Sequence, residues 1–263
     1  MAGARRILVQ VVRVLLVVGI FAALALGLPA GLTTLHAGPW LKQFGFGIDA
    51  FSYLLLASGA LLLVAAVAGF RWLGPITTLR ELGIVPIRLM AVFAGILSVA
   101  VMLAALSVTG RTILSHGAGP LIVMRLVYPV SDEILFRGFV FRQLRRWAVL
   151  PFWAAATLSS LLFGAGYFGQ GAVHLSTLLI PAAAFGGGVL FCWLTERWDS
   201  IWPALVIHVG FNLVWQVFLL GDDTAGGAAA NLARLAAVAA AIIATLVATS
   251  PSRRAAMNPQ PAP

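Results

Sequence analysis

Long apolar runs, separated by short polar stretches, set the pattern of this chain. Each run is about 20 residues long, the length that an α-helix needs to cross the hydrocarbon core of a bilayer. We predict such helices over residues 7–32, 47–70, 87–108, 120–141, 151–168, 172–194, 201–220 and 228–248. The pattern therefore predicts an all-α fold, a polytopic membrane bundle of about eight transmembrane helices.

The stretches between these runs are too short to hold a second domain. We therefore expect a single transmembrane helical domain over residues 1–249. Residues 250–263 are rich in Pro, Arg and small side chains, so we expect a disordered cytoplasmic tail there. Residues 74–83, between the second and third runs, are expected to form a short helix at the cytoplasmic membrane surface.

Composition supports a membrane protein, because 61% of the residues are hydrophobic and only 10% are charged, unlike a soluble domain. In a soluble protein the net charge of +9 would suggest a nucleic-acid partner. Here the basic residues follow alternate loops instead, so we predict no nucleic-acid or nucleotide partner. The side shared by both termini holds Arg5, Arg6, Arg71, Arg80, Arg88, Arg142, Arg145, Arg146, Arg197, Arg253 and Arg254. Because cytoplasmic loops are enriched in Arg and Lys, we predict a plasma-membrane protein with both termini in the cytoplasm.

The first apolar run follows two basic residues, Arg5 and Arg6, as it would in a secretory signal peptide. The run is longer than the apolar region of a typical signal peptide. We therefore expect it to be retained as the first membrane helix.

The fourth run carries three ionisable side chains, in the sequence Ser131-Asp132-Glu133-Ile134-Leu135-Phe136-Arg137-Gly138. A charge near the centre of a membrane helix costs about 2.5 to 3.5 kcal/mol on insertion scales, so such a cluster is a candidate functional site. Glu133 and Arg137 share one face of an α-helix and can form an orienting ion pair. Asp132 lies about 100° further round the helix, so its carboxylate needs a partner on another helix.

His208 and Asn212 place a second pair of polar side chains on one face of the seventh run. An imidazole and an amide there could bind water, donate hydrogen bonds to an oxyanion, or tether this helix to the fourth one. Tyr167, near the outer end of the fifth run, is either a third member of this group or an anchor at the membrane interface. The residues alone leave these alternatives open.

The order and spacing of these residues resemble the type II CAAX prenyl endopeptidases, also called the CAAX protease and bacteriocin-processing (CPBP) or Abi family of intramembrane proteases. The first family motif is Glu-Glu-x-x-x-Arg, usually followed by Gly, and here it begins with Asp132 and Glu133 and ends with Arg137. The second motif, Phe-x-x-x-His, corresponds to the segment from Phe163 to Tyr167, and the third, His-x-x-x-Asn, is matched by His208 and Asn212. The family-like core is about residues 119–220.

The resemblance implies an endopeptidase that hydrolyses a peptide bond of a membrane-associated protein or peptide with an activated water, inside a cavity of the bundle. By motif position, Asp132 would be the general base, Tyr167 a helper, and His208 with Asn212 the oxyanion site. Glu133, with Arg137, would orient the fourth helix. The candidate catalytic residues are therefore Asp132, Glu133, Tyr167, His208 and Asn212.

Two of these positions differ from the family pattern, and both lie where chemistry would occur. Asp132 is one methylene shorter than the family's Glu. Tyr167 stands in the place of a His, and a neutral phenol can donate a hydrogen bond but cannot exchange protons near neutral pH as an imidazole does.

Two other functions stay open on these grounds. The chain could be a catalytically inactive relative that acts as a membrane scaffold or an immunity-type binding protein. A small transporter could use Asp132, Glu133 and His208 as a proton or cation relay, although no paired interrupted helices favour it.

We predict no cofactor. A zinc ion is disfavoured because such sites gather three or four N, S or O donors and Tyr167 replaces a good one.

Overall fold

The computed structural model of the protein describes residues 2–34, 67–69, 71–109, 111–112, 119–167, 176–219 and 227–250. Helices make up most of these ranges. Two short strands, each of which follows a helix, pair with each other. The elements are α1 (Ala2–Thr34), α2 (Pro75–Glu81), α3 (Leu89–Thr109), β1 (Arg111–Thr112), α4 (Gly119–Asp132), the π-helical segments π1 (Glu133–Phe141) and π2 (Gln143–Trp147), α5 (Phe152–Ala165), α6 (Ser176–Trp198), α7 (Trp202–Val217), β2 (Phe218–Leu219) and α8 (Ala228–Ala248).

Within the described ranges, four helices are long and apolar enough to cross a membrane. Their spanning segments are Gly3–Ala23, Leu89–Val108, Leu178–Trp198 and Ala228–Ala248. α5 and α7 are also apolar but shorter. The predicted helix over residues 47–70 and the predicted tail lie almost entirely outside the described residues. A helical fold of membrane type is therefore confirmed, whereas the number of eight spans stays a prediction.

The fourth predicted helix changes its winding at its polar residues. α4 ends at Asp132 and continues directly into π1, where each N–H bonds to the carbonyl five residues back rather than four. The prediction of one regular α-helix over residues 120–141 is wrong in this half. All residues of π1 except Ile134 are buried, so packing from the surrounding helices can stabilise a winding that is rare in isolation.

Two pairs of helices pack closely because glycine faces the partner helix. α3 meets α7 where Gly95 lies against Val206; a Cβ at Gly95 would come within 2.8 Å of the Val206 Cβ. α5 meets α6 where Gly188 lies against Ser160, at 2.9 Å from an added Cβ. Small residues let membrane helices approach in this way. These contacts place α5, α6 and α7 around π1, which is where the site residues lie.

The short helix expected at residues 74–83 is present as α2, which begins after Gly74. The Arg142 side chain holds it against the end of π1: its Nε donates to the Glu81 carbonyl at 2.6 Å and its Nη2 to the Arg80 carbonyl at 2.9 Å. Gly83, which ends this turn with a φ of +73°, lies against the Arg142 guanidinium. A side chain at that position would be strained by the backbone and crowded by the arginine.

One small departure from the all-α prediction lies where α3 and α7 end. β1 pairs antiparallel with β2, with Arg111 opposite Leu219 and Thr112 opposite Phe218. The predicted helix over residues 201–220 therefore ends at Val217. Backbone groups that leave a helix still need hydrogen-bond partners, and a two-residue pairing supplies them here.

Candidate active site

Glu133, the first residue of π1, is the centre of a buried polar cluster. Its side chain is 0% exposed, and its Oε1 lies 3.3 Å from Arg137 Nη1. The same oxygen lies 2.8 Å from Nδ1 of His208 on α7. Glu133 Oε2 is buried and has no hydrogen-bond partner among the described residues. One carboxylate oxygen therefore links the π segment to a helix that lies 75 residues further along the chain.

The Arg137 guanidinium is fully buried and lies close to two aromatic rings. Its Cζ lies 4.4 Å from the centroid of Phe163, on α5, and 5.1 Å from that of Phe191, on α6. No described residue accepts a hydrogen bond from its three nitrogens. Cation–π attraction together with the Glu133 carboxylate therefore supports this charge. The two phenylalanines come from helices that the close glycine contacts bring together.

His208 is nearly buried and lies against the same two rings. The imidazole is 6.0 Å from Phe163 at an interplanar angle of 87°, and 5.7 Å from Phe191. Gly210 lies two residues after His208 and packs against Val99 of α3. This contact holds α7 close to α3. The histidine is therefore held by its ring contacts and by its hydrogen bond to Glu133.

Asp132, the last residue of α4, lies beside this cluster without joining it. Its side chain is buried at 7% exposure, and the charges of His208, Glu133 and Arg137 all act on it. No hydrogen bond or ion pair between described residues involves its carboxylate. The sequence requires a partner for Asp132 on another helix and offers His208 and Asn212 as candidates, but the imidazole bonds to Glu133 instead. Asp132 therefore has acceptor positions available for a small polar ligand such as water.

Tyr167 and Asn212 lie at the edge of the cluster. Tyr167 follows the end of α5, packs edge-on against Phe163 at 5.2 Å, and lies within electrostatic range of Asp132, Arg137 and Glu133. Asn212 is half-buried one turn beyond His208 on α7, and its amide makes no hydrogen bond with another described residue. The structure thus brings Tyr167 near the two carboxylates, while Asn212 shares only its helix with His208.

Several supporting residues cannot be recognised from the sequence as parts of the site. Ser159 of α5 donates to the Phe136 carbonyl of π1 at 2.8 Å, in a fully buried position. Phe191 is one of many apolar residues of α6, and nothing in its local pattern marks it as a partner of both Arg137 and His208. The sequence signals for Ser159 are that a buried hydroxyl needs an acceptor and that the segment 159–163 resembles the flank of the second family motif.

The described residues contain no group of three or more His, Cys, Asp or Glu side chains placed to hold a metal ion. The two strongest donors that come together, His208 Nδ1 and Glu133 Oε1, are engaged with each other. This arrangement does not fit the three or four ligands of a zinc site. The expectation that zinc is not bound stays a prediction for the whole chain.

The segment that carries these residues also has a recognisable family signature. Residues 114–214 match the Rce1-like family model, described as type II CAAX prenyl endopeptidase Rce1-like. The resemblance seen in the three motifs is therefore confirmed. The matched segment contains Asp132, Glu133, Tyr167, His208 and Asn212, and it corresponds closely to the predicted core of about residues 119–220. No curated protein and no solved structure shows significant similarity to the chain.

Proposed function

We propose that this protein is an intramembrane endopeptidase of the CAAX protease and bacteriocin-processing type. The family match over residues 114–214 supports this class of reaction. The observation that carries the proposal is the position of Asp132, a buried carboxylate without a partner among the described residues, directly beside the Glu133–His208 hydrogen bond. A side chain of this kind is expensive to keep among apolar helices unless it has a task.

In the proposed reaction, Asp132 binds a water molecule and takes a proton from it as the water attacks the carbonyl carbon of the scissile bond. Tyr167, His208 and Asn212 supply the other polar groups around that carbonyl. The Glu133–Arg137 pair holds the start of π1, and thereby Asp132, in place. Because Asp132 is shorter than the glutamate of the family motif, its water must lie closer to the helix backbone than it would beside a glutamate.

The substrate in this proposal is a membrane-associated protein or peptide that reaches the site from the bilayer or the cytoplasm. The protein would lie in the plasma membrane with both termini in the cytoplasm, as the distribution of arginine predicts. No cofactor takes part in the proposed reaction. Protease-protection mapping of tags at the two termini would test the orientation.

The proposal is tested by comparing new peptide termini in native membranes that contain equal amounts of wild-type protein, Asp132→Asn or His208→Ala. Asp222→Asn, which makes the same chemical change in a predicted outer loop, is the matched control. We expect specific termini with the wild type and the control, and none with the two site variants. If all four profiles coincide although the proteins are folded, the polar cluster is not catalytic and the binding-protein alternative takes its place.

A further inference from the structure

Three arginines converge on one carboxylate at the end of the molecule where π1 meets α2. Arg142 Nη1 donates to Asp199 Oδ1 at 2.8 Å, and Arg146 Nη2 donates to the same oxygen. Arg88 Nη2 lies 3.7 Å from Asp199 Oδ2. Three positive charges therefore face one negative charge, which leaves a surplus of two. We call Arg88, Arg142, Arg146 and Asp199 the arginine cluster.

The two carboxylates nearest to the arginine cluster have arginines of their own. Glu81 Oε2 accepts a hydrogen bond from Arg71 Nη1 at 2.8 Å. Glu196 Oε1 accepts one from Arg145 Nε at 2.9 Å. Since each of these pairs is neutral by itself, neither removes the positive surplus of the cluster. A surplus of this kind attracts an anion.

Two of the three arginines are accessible to such an anion. Arg142 is 3% exposed, and its Nε, Nη1 and Nη2 atoms already have partners. The Arg88 and Arg146 side chains are 46% and 41% exposed. The contact of Arg88 with Asp199 is longer than a hydrogen bond, and Arg88 makes no hydrogen bond with another described residue. Arg88 and Arg146 therefore have N–H groups that can donate to a ligand.

The position of the arginine cluster along two helices sets its depth in a bilayer. Arg88 directly precedes the candidate span Leu89–Val108, and Asp199 directly follows the candidate span Leu178–Trp198. These spans are 20 and 21 residues long, enough to cover the hydrocarbon core and no more. Because Arg88 and Asp199 are in contact, both ends lie at the same face of the bundle. The cluster is therefore at the level of the lipid headgroups.

An apolar strip on α3 begins at the residue after Arg88. Its members are exposed and fall on one face of the helix at helical spacing: Leu89, Met90, Phe93, Ile96 and Leu97. The strip runs from the headgroup level into the depth of the hydrocarbon core, where acyl chains lie. A molecule with an anionic head and a long apolar chain would contact the cluster and the strip together.

We propose that the arginine cluster and the α3 strip form a binding site for an anionic phospholipid. Its phosphate binds the guanidinium groups of Arg88 and Arg146, and one acyl chain lies along α3. Planar guanidinium groups match phosphate oxygens in geometry as well as in charge. A zwitterionic lipid fits less well, because its ammonium group would be repelled by the surplus positive charge. This site does not depend on the proposed endopeptidase function.

The test measures lipid binding to the full-length protein in detergent micelles by native mass spectrometry. The probes are dioleoyl phosphatidylglycerol and dioleoyl phosphatidylcholine, which share their acyl chains. We expect the wild type to bind phosphatidylglycerol more tightly. Arg88→Gln and Arg146→Gln should each weaken this binding by about fivefold, the contribution typical of one basic residue at a membrane surface. Equal affinity for the two lipids would overturn the inference.

Arg6→Gln is the matched control, because Arg6 is an exposed arginine near the start of α1 and lies outside the arginine cluster. This variant has lost the same charge and should bind phosphatidylglycerol as the wild type does. Thermal unfolding of each variant checks that it is folded. If Arg6→Gln weakens binding as much as Arg88→Gln, net charge alone attracts the lipid and there is no site at the cluster.

Asp199→Asn should change the affinity in the opposite direction. Asp199 has a φ of +51°, a conformation in which asparagine is common, so the substitution adds no backbone strain. The change removes the negative charge that competes with the phosphate. We expect phosphatidylglycerol to bind about fivefold more tightly. Weaker binding would contradict the assignment, because the carboxylate would then help to hold the lipid rather than oppose it.

Glycerol phosphate distinguishes a lipid from a soluble phosphate ester as the ligand. It carries the phosphate without an acyl chain, so it cannot contact the α3 strip. We expect millimolar glycerol phosphate to leave phosphatidylglycerol bound to the wild type. Displacement would show that the phosphate alone accounts for binding, and a phospholipid would then be the wrong occupant.

Discussion

Two regions of this molecule combine arginine with carboxylates in opposite ways. Where π1 meets α2, Arg142 makes three hydrogen bonds, to the carbonyls of Arg80 and Glu81 and to Asp199 Oδ1. In the centre, Arg137 is completely buried beside one carboxylate oxygen and makes no hydrogen bond with a described residue. The Arg142 guanidinium has hydrogen-bond partners for its Nε, Nη1 and Nη2 atoms, and these bonds stabilise the fold. The second region retains unsatisfied polar groups, as a site that must bind a further polar molecule would.

The two regions also differ in their access to water. Asp199 is 45% exposed and is approached by Arg88, Arg142 and Arg146, so solvent shares in neutralising its charge. Glu133 is 0% exposed, and Arg137 and His208 are the partners that the described residues offer it. Loss of one partner should therefore be severe in the centre and mild at the surface, because a buried charge without its partner has no water to replace it.

The largest effect is expected for Arg137→Met, which leaves Glu133 buried without its cation. We expect a loss of about 3 to 5 kcal/mol in stability, measured by thermal unfolding of the detergent-solubilised protein. The double variant Arg137→Met with Glu133→Gln should recover part of this loss, because no lone charge remains. If the single variant is as stable as the wild type, the central pair does not bear on the fold and the comparison fails.

A smaller effect is expected for Arg142→Met, which removes three hydrogen bonds between π1, α2 and Asp199. Burial, reinforced by repulsion from Arg146, lowers the pKa of the Arg142 guanidinium, and Asp199 opposes this shift. Arg80 is an exposed residue and Glu81 is half-buried, so we expect water to replace the guanidinium at their carbonyls. We therefore expect a loss of about 2 kcal/mol in stability.

Cleavage per folded molecule should stay unchanged in Arg142→Met, since Arg142 lies outside the central cluster. The measurement is a thermal unfolding curve together with the rate of peptide cleavage, normalised to folded protein. A variant that unfolds normally but cleaves slowly would show that the hydrogen bonds of Arg142 also control the site.

The smallest effect is expected for Glu196→Gln at the surface pair with Arg145. Their atoms lie 2.9 Å apart, but both side chains are 35% exposed. Exposed pairs contribute little, so we expect a change below about 0.5 kcal/mol. Unfolding at low and high salt should show that even this contribution is screened. A loss comparable to that of Arg137→Met would remove the distinction between the two regions.

Much of the site could be predicted from local sequence, because its members carry polar atoms within apolar runs. The spacing of Glu133 and Arg137 indicated an ion pair, and these side chains do lie within 3.3 Å. The pairing of His208 could not be predicted in the same way. An α-helix places Asp132 and Glu133 on different faces. Which of the two carboxylates meets α7 depends on the winding of their own helix and on the direction from which α7 approaches it.

The sequence by itself determined that this is a helical membrane protein and that its charges must be compensated inside it, because hydrocarbon solvates neither backbone groups nor ions. Only the tertiary structure decided that π1 replaces an α-helix, that Arg137 contacts the rings of Phe163 and Phe191, and that His208 bonds to Glu133. These outcomes depend on how closely α5, α6 and α7 pack around π1, and that packing is a property of all the helices together.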